Sequence, residues 1–173
     1  MIRLIRKSKI SNLRKSQPDR SFNMSRIRGE DTRPEMWLRK RLHALGFRYR
    51  LHDKRLPGKP DLVFPRHHAV VFINGCFWHM HQCRYFQFPA SSQTKGRGPD
   101  WWREKLIGNR QRDLENHEKL RELGWRVLVL WECALPIKGR GKLPEDNVVT
   151  TVSDWLQSES HYLEVPAPDS LLI

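Results

Sequence analysis

At 173 residues, 38% of them hydrophobic and 29% charged, the chain is sized for one globular domain with a buried core. No apolar run approaches the roughly eighteen residues of a membrane span. Lys and Arg number 32 against 19 Asp and Glu, a net charge of +13 that suits a polyanionic partner such as nucleic acid. A generically basic, heparin-binding or ribosome-like surface would carry the same excess, and charge does not distinguish reading from cutting. Three cysteines, an odd count without a secretory signal, argue against a disulfide framework and for a cytoplasmic protein with free or metal-bound thiols.

Residues 1–28 carry nine Lys or Arg and one acid, Asp19. Residues 1–20 therefore read as a basic, disordered arm that orders on DNA, the first fifteen alternatively as an unstructured leader from an upstream start codon. Residues 21–157 read as the folded domain and 158–173 as a tail. The first helix is expected from Pro34 to Leu45, capped by Thr32 and ended by Gly46, with Leu38, Leu42 and Leu45 as its apolar stripe. Glu35 extends that inward line. It either complements the helix N-terminus or points into a site.

The turn Leu56-Pro57-Gly58-Lys59-Pro60 opens a strand over residues 61–64. Pro65 to His68 then turns the chain into a second strand, Ala69 to Asn74. Both are dense in apolar residues, as in central strands covered on two sides. Asp61 stands at the mouth of this hairpin. After a loop over 91–100, a long helix runs from about Trp101 to Leu123. Trp102, Leu106, Asn109, Asp113 and Leu120 share one of its faces, so Asn109 and Asp113 are expected to meet polar groups of the sheet. Trp125 to Trp131 is a third buried strand, and Asn147 to Leu156 a last helix. The sum is a mixed α/β layer protein.

The segment Asn74-Gly75-Cys76-Phe77-Trp78-His79-Met80-His81-Gln82-Cys83 packs thiols, imidazoles and aromatics into ten residues. Cys76, His81 and Cys83, joined by Cys133 after the third strand, supply the soft donors that structural zinc prefers; unrelated buried cysteines are the alternative. Phe77 and Trp78 are suited to wedge into a base stack, or else to pack over the zinc site. Asp61 and Glu35 are the acids best placed to hold a divalent ion such as magnesium, which takes oxygen ligands and keeps several waters. His79, outside the proposed zinc set, is a candidate base.

The runs LPGKPDLVF, VVFINGCFWHMHQC and LGWRVLVLWECAL closely resemble the Vsr very-short-patch-repair endonucleases over about residues 20–135. The resemblance implies a restriction-endonuclease-like core with a structural zinc site. It also implies a magnesium-dependent nick 5′ of the T in a T·G mismatch, the lesion left by deaminated 5-methylcytosine. By motif position, Asp61 and the Ile73 main-chain carbonyl resemble the magnesium ligands, and His79 the residue that activates water. Glu35 resembles the acid assisting it, and Asp113 an acid supporting the catalytic histidines. Cys76, His81, Cys83 and Cys133 resemble the zinc ligands. Phe77 and Trp78 resemble one aromatic wedge, and Met24 and Ile27 a second from the opposite groove.

Implied partners are double-stranded T·G mismatch DNA, mismatch-repair proteins and a cognate cytosine-5 methyltransferase. The implied setting is a monomer at the bacterial nucleoid. One departure bears on the chemistry: the family commonly has Thr-His where this chain has Ile73-Asn74. Asn74 hydrogen-bonds but takes no proton near neutral pH. That leaves weaker activity, reliance on His79 alone, or loss of cleavage as the open outcomes. Two other functions fit the same residues: a zinc-stabilised mismatch-binding protein that does not cut, and a restriction-type enzyme of the same fold.

Overall fold

The computed structural model describes residues 29–89, 98–137 and 144–165. The basic arm, Met24 and Ile27 lie outside the described residues, as does the 91–100 loop up to residue 97. In chain order the elements are α1 (Arg33–Ala44), β1 (Arg50–Leu51), β2 (Leu62–Phe64), a 3-10 turn (Pro65–His67) and β3 (Ala69–Asn74). They continue with α2 (Pro99–Glu122), β4 (Arg126–Trp131), a second 3-10 turn (Glu132–Ala134), α3 (Glu145–Gln157) and β5 (Tyr162–Val165). The five strands form one mixed sheet in the order β1-β2-β3-β4-β5. β1, β2 and β3 pair antiparallel, whereas β3, β4 and β5 run parallel. None of the described helices is long and apolar enough to cross a membrane.

Strand alternation sorts the core into two layers. Leu62, Phe64, Ala69, Val71, Leu128 and Leu130 face one side, where Leu38 and Leu42 of α1 and Val148, Val152 and Trp155 of α3 cover them. Val63, Val70, Phe72, Val127, Val129 and Trp131 face the other, against Leu120 of α2 and the three cysteines. Each large apolar side chain sealed this way contributes about 1.5–3 kcal/mol, so the central strands anchor whatever their ends carry.

Helix α1 begins where Thr32 leaves helical geometry and its Oγ1 accepts the Glu35 N–H at 3.4 Å. Leu38 and Leu42 are buried, but Leu45 is 58% exposed. The expected stripe ends one turn early because Leu45 is already the C-cap and Gly46, at φ +91°, turns the chain away. Strand β5 is a second difference: it falls within the stretch expected to be a tail and pairs with β4 through Leu128↔Leu163. Helix α2 starts at Pro99, earlier than its apolar face suggests, since proline suits a first helical turn.

Candidate active site and metal centre

The C-terminal end of β3 gathers the polar residues. The antiparallel register Leu62↔Val71 carries Asp61, just before β2, toward that end, where its Oδ2 accepts the Ile73 N–H at 2.7 Å. The turn feeding Asp61 requires glycine at Gly58. Its φ is +72°, and a Cβ there would lie 3.0 Å from the Asn116 Cβ on α2. Burial pushes the Asp61 carboxyl up to about 6, with the nearby Glu35 adding to the rise. The Ile73 N–H, His52 and His79 pull the other way.

Glu35, 1% exposed, points into the fold rather than merely facing the helix N-terminus. Arg39, one helical turn on, donates to its Oε1 at 2.7 Å and also reaches Asp31. Its Oε2 is buried and has no hydrogen-bond partner among the described residues. A residue that sequence reasoning missed completes this group. His52 follows β1 with a left-handed backbone (φ +49°) and places its ring beside both Glu35 and Asp61. It sits in no periodic pattern, and only the fold brings it to the acids.

Beyond β3 the chain turns through Gly75 to Cys83, a segment pinned to α2. Asn109 donates to the Trp78 carbonyl at 3.1 Å, and Arg110 to the Met80 carbonyl at 3.3 Å. Asp113 Oδ2 lies 2.5 Å from His79 Nδ1, which fixes the ring and leaves Nε2 as the nitrogen directed elsewhere. The polar interruptions in the α2 stripe thus meet the loop after β3 rather than the sheet itself. One turn further along α2, His117 is buried against Phe72, and burial lowers its tendency to protonate. Asn74, 6% exposed, closes β3 opposite Trp131.

Cys76, His81, Cys83 and Cys133 are all buried, and their ligand atoms lie within 4.8 Å of one another. His81 Nδ1 is 3.3 Å from Cys133 Sγ and 3.6 Å from Cys76 Sγ. A tetrahedral site with metal–sulfur bonds of about 2.3 Å has ligand edges of roughly 3.8 Å, so this set is already close to the shape a cation needs. His81 is locked by stacking on Trp131, with ring centres 4.2 Å apart and planes 10° apart. The Cys133 thiol beside Cys76, together with burial, pushes the Cys76 thiol far up, and burial raises Cys83 too. A divalent cation reverses that balance, because coordination deprotonates thiols outright.

Phe77 and Trp78 are half-buried and pack on each other at 5.2 Å. Trp102, at the start of α2, lies 5.8 Å from Phe77 and 6.0 Å from Trp78. Trp101 continues the aromatic surface and is 36% exposed. The Phe77 and Trp78 rings therefore lean on Trp102 at the start of α2.

This arrangement has relatives. Residues 14–85 match the profile of the family described as DNA mismatch endonuclease Vsr. Over 140 residues the chain is 40% identical to the DNA mismatch endonuclease Vsr of Escherichia coli (strain K12), covering 81% of this chain and 85% of that protein. The chain belongs to the Vsr family. Two further relatives are described as type II nicking enzymes. V.XorIIP of Xanthomonas oryzae pv. oryzae is 45% identical over 122 residues, covering 70% of this chain and 85% of the relative. V.NmeAIP of Neisseria meningitidis is 41% identical over 135 residues, covering 78% and 92% respectively.

Proposed function

We propose that this Vsr-family protein is a DNA mismatch endonuclease that nicks one strand 5′ of the T in a T·G mismatch, on a restriction-endonuclease-like core. The observation that carries the reading is the convergence of Asp61, Glu35 and the His79–Asp113 pair around one strand end, beside an aromatic surface. The net charge of +13 supplies the sequence-independent attraction to the duplex.

Asp61 and Glu35 fit a divalent cation, because Asp61 spends only Oδ2 on Ile73 while Glu35 keeps a buried, unsatisfied Oε2. Magnesium, when bound, neutralises charge developing on the phosphate. Asp61 and the Ile73 carbonyl are its proposed ligands, with Glu35 acting on its water shell. His79 takes the proton of the attacking water at Nε2, while Asp113 holds Nδ1 and stabilises the cationic ring. Asn74 orients groups by hydrogen bonding and carries no proton, so acid–base work falls to His79. Cys76, His81, Cys83 and Cys133 fit structural zinc, which would tie the His79 loop to the turn after β4.

Phe77 and Trp78 are the proposed wedge, favouring a mismatch because unstacking a weakened step costs less. Trp78→Ala should weaken binding to a T·G duplex about 10-fold or more, and to a fully paired duplex much less, given roughly 1–3 kcal/mol per stacked base. Equal losses in a fluorescence-anisotropy titration would reassign Trp78 to packing against Trp102. The function itself is tested by incubating end-labelled T·G and C·G duplexes with the protein and mapping cuts on both strands. A single cut 5′ of the T, absent from C·G, is expected; cleavage of both substrates would favour a restriction-type enzyme.

Acid should suppress the reaction. Asp61 gains a proton near pH 6, and a protonated carboxyl does not ligate a cation. The magnesium concentration for half-maximal nicking should therefore rise about tenfold per pH unit below pH 6 and level off above it. A requirement unchanged between pH 5 and 8 would remove Asp61 from the cation site.

A further inference from the structure

Three buried side-chain polar atoms lack a hydrogen-bond partner among the described residues, and two of them, Glu35 Oε2 and His52 Nε2, belong to side chains in contact. His52 Nε2 lies 3.2 Å from Glu35 Oε1 without hydrogen-bonding alignment, and Nδ1 lies 3.9 Å from Asp61 Oδ1. The ring is thus wedged between the two acids, with its side chain 13% exposed. Its main chain is tied to the same place, because the His52 N–H donates to the Asp61 carbonyl at 3.3 Å. A left-handed backbone at a non-glycine residue is uncommon, and here it is what turns the imidazole inward from the end of β1.

We propose that His52 is a positioning residue of the nicking centre. Held between Glu35 and Asp61, its ring sets the spacing of the two carboxylates and blocks rotation of the Glu35 carboxylate. Arg39 fixes only one oxygen of Glu35 from the helix side, and one contact leaves the group free to turn about its last bond. The His52 ring, with Nε2 at 3.2 Å from that same oxygen, restricts the turn and leaves Oε2 as the oxygen available to the cation's water shell. Contacts at such centres are often poorly aligned before substrate binds and tighten afterwards, which accounts for the misalignment of Nε2. Groups that orient metal-site carboxylates are worth roughly 10–100-fold in metal affinity or activity.

The proposal rests on the nicking function above, and its test separates the two. Wild type, His52→Ala and His52→Gln are compared for T·G nicking under single-turnover and steady-state conditions. T·G duplex binding is measured in EDTA, and Mn2+ binding to the protein–duplex complex by calorimetry. His52→Ala should melt cooperatively and bind T·G duplex like wild type, lose about 10–100-fold in kcat with little change in KM, and bind Mn2+ about tenfold more weakly. His52→Gln, which keeps a single amide donor for Glu35, should recover much of both and stop roughly threefold to tenfold short of wild type. Wild-type kcat and Mn2+ affinity in the alanine variant would overturn the role of His52. So would losses that merely follow duplex binding or folding. If the alanine variant does not fold, the glutamine variant decides: wild-type kcat and Mn2+ affinity there overturn the proposal. A wild type that fails to nick at all overturns the nicking function itself.

Discussion

Replacing Asp61 with asparagine is expected to lower nicking of a T·G duplex by at least about 1000-fold while making the cation-free protein more stable at pH 8. The loss follows because the cation is asked for several kcal/mol of charge stabilisation, and each 1.36 kcal/mol is tenfold in rate. The gain follows from burial. The folded Asp61 carboxyl sits near 6 against an ordinary 3.8, so it adds stability when protonated. That contribution is full below about pH 3.8 and is lost as pH rises through about 6. Above that, the negative charge works against the fold by about 3 kcal/mol, somewhat less for a side chain that keeps 23% exposure. Asparagine carries no charge and still offers an oxygen to the Ile73 N–H. Its melting temperature at pH 8 without divalent ions should exceed wild type by about 5–10 °C, and the two should converge near pH 4. Added magnesium should stabilise wild type and leave the variant unmoved. A variant less stable than wild type at pH 8 would mean that Asp61 is held by partners strong enough to outweigh its burial.

Removing the metal proposed for the Cys76, His81, Cys83 and Cys133 site should have the second large effect. Elemental analysis should find one zinc per chain in wild type and none in Cys133→Ser. Cys133 is fully buried at the end of β4 and shares His81 Nδ1 with Cys76 across the loop. That loop is held by turn-type backbone bonds, such as His81 N–H to the Cys76 carbonyl at 3.0 Å, by its α2 contacts and by the cluster. Losing the metal should cost at least about 4 kcal/mol, on the order of 10 °C for a chain of this size. Nicking should fall with it, because the 2.5 Å His79–Asp113 contact depends on the same loop. Strong chelation of wild type should reproduce the variant, and zinc alone should restore folding without restoring nicking. Wild type that holds no zinc, or a variant that melts like it, would reduce the cysteines to core packing.

The legible parts of the fold were those with a repeating physical signal. Helix α1 announced itself through Thr32, Pro34 and the Leu38–Leu42 spacing, and β3 through the apolar run AVVFIN, which the fold then buries. Strands β1 and β5 did not: two and four residues carry no usable alternation, and their neighbours in the sheet define them. Leu45 misled because spacing alone does not say where a helix stops. The Cys/His cluster was visible as composition, three of its members falling within eight residues. Glu35 and Asp61 could be paired as cation-binding acids from the sequence, whereas His52 could not, since it reaches both only through the sheet register and a single left-handed residue. The partner of Asp113 was half visible: a polar residue on an apolar stripe demanded one, but only the loop after β3 supplied His79.

The central claim is most directly tested by nicking with both strands labelled, on T·G and C·G duplexes of one sequence, with magnesium and then with EDTA. One magnesium-dependent cut immediately 5′ of the mismatched T, with the opposite strand and the C·G duplex intact, is the predicted result. Tight T·G binding with no cut on either strand would contradict it and would identify a mismatch-binding protein whose centre is disabled at Asn74.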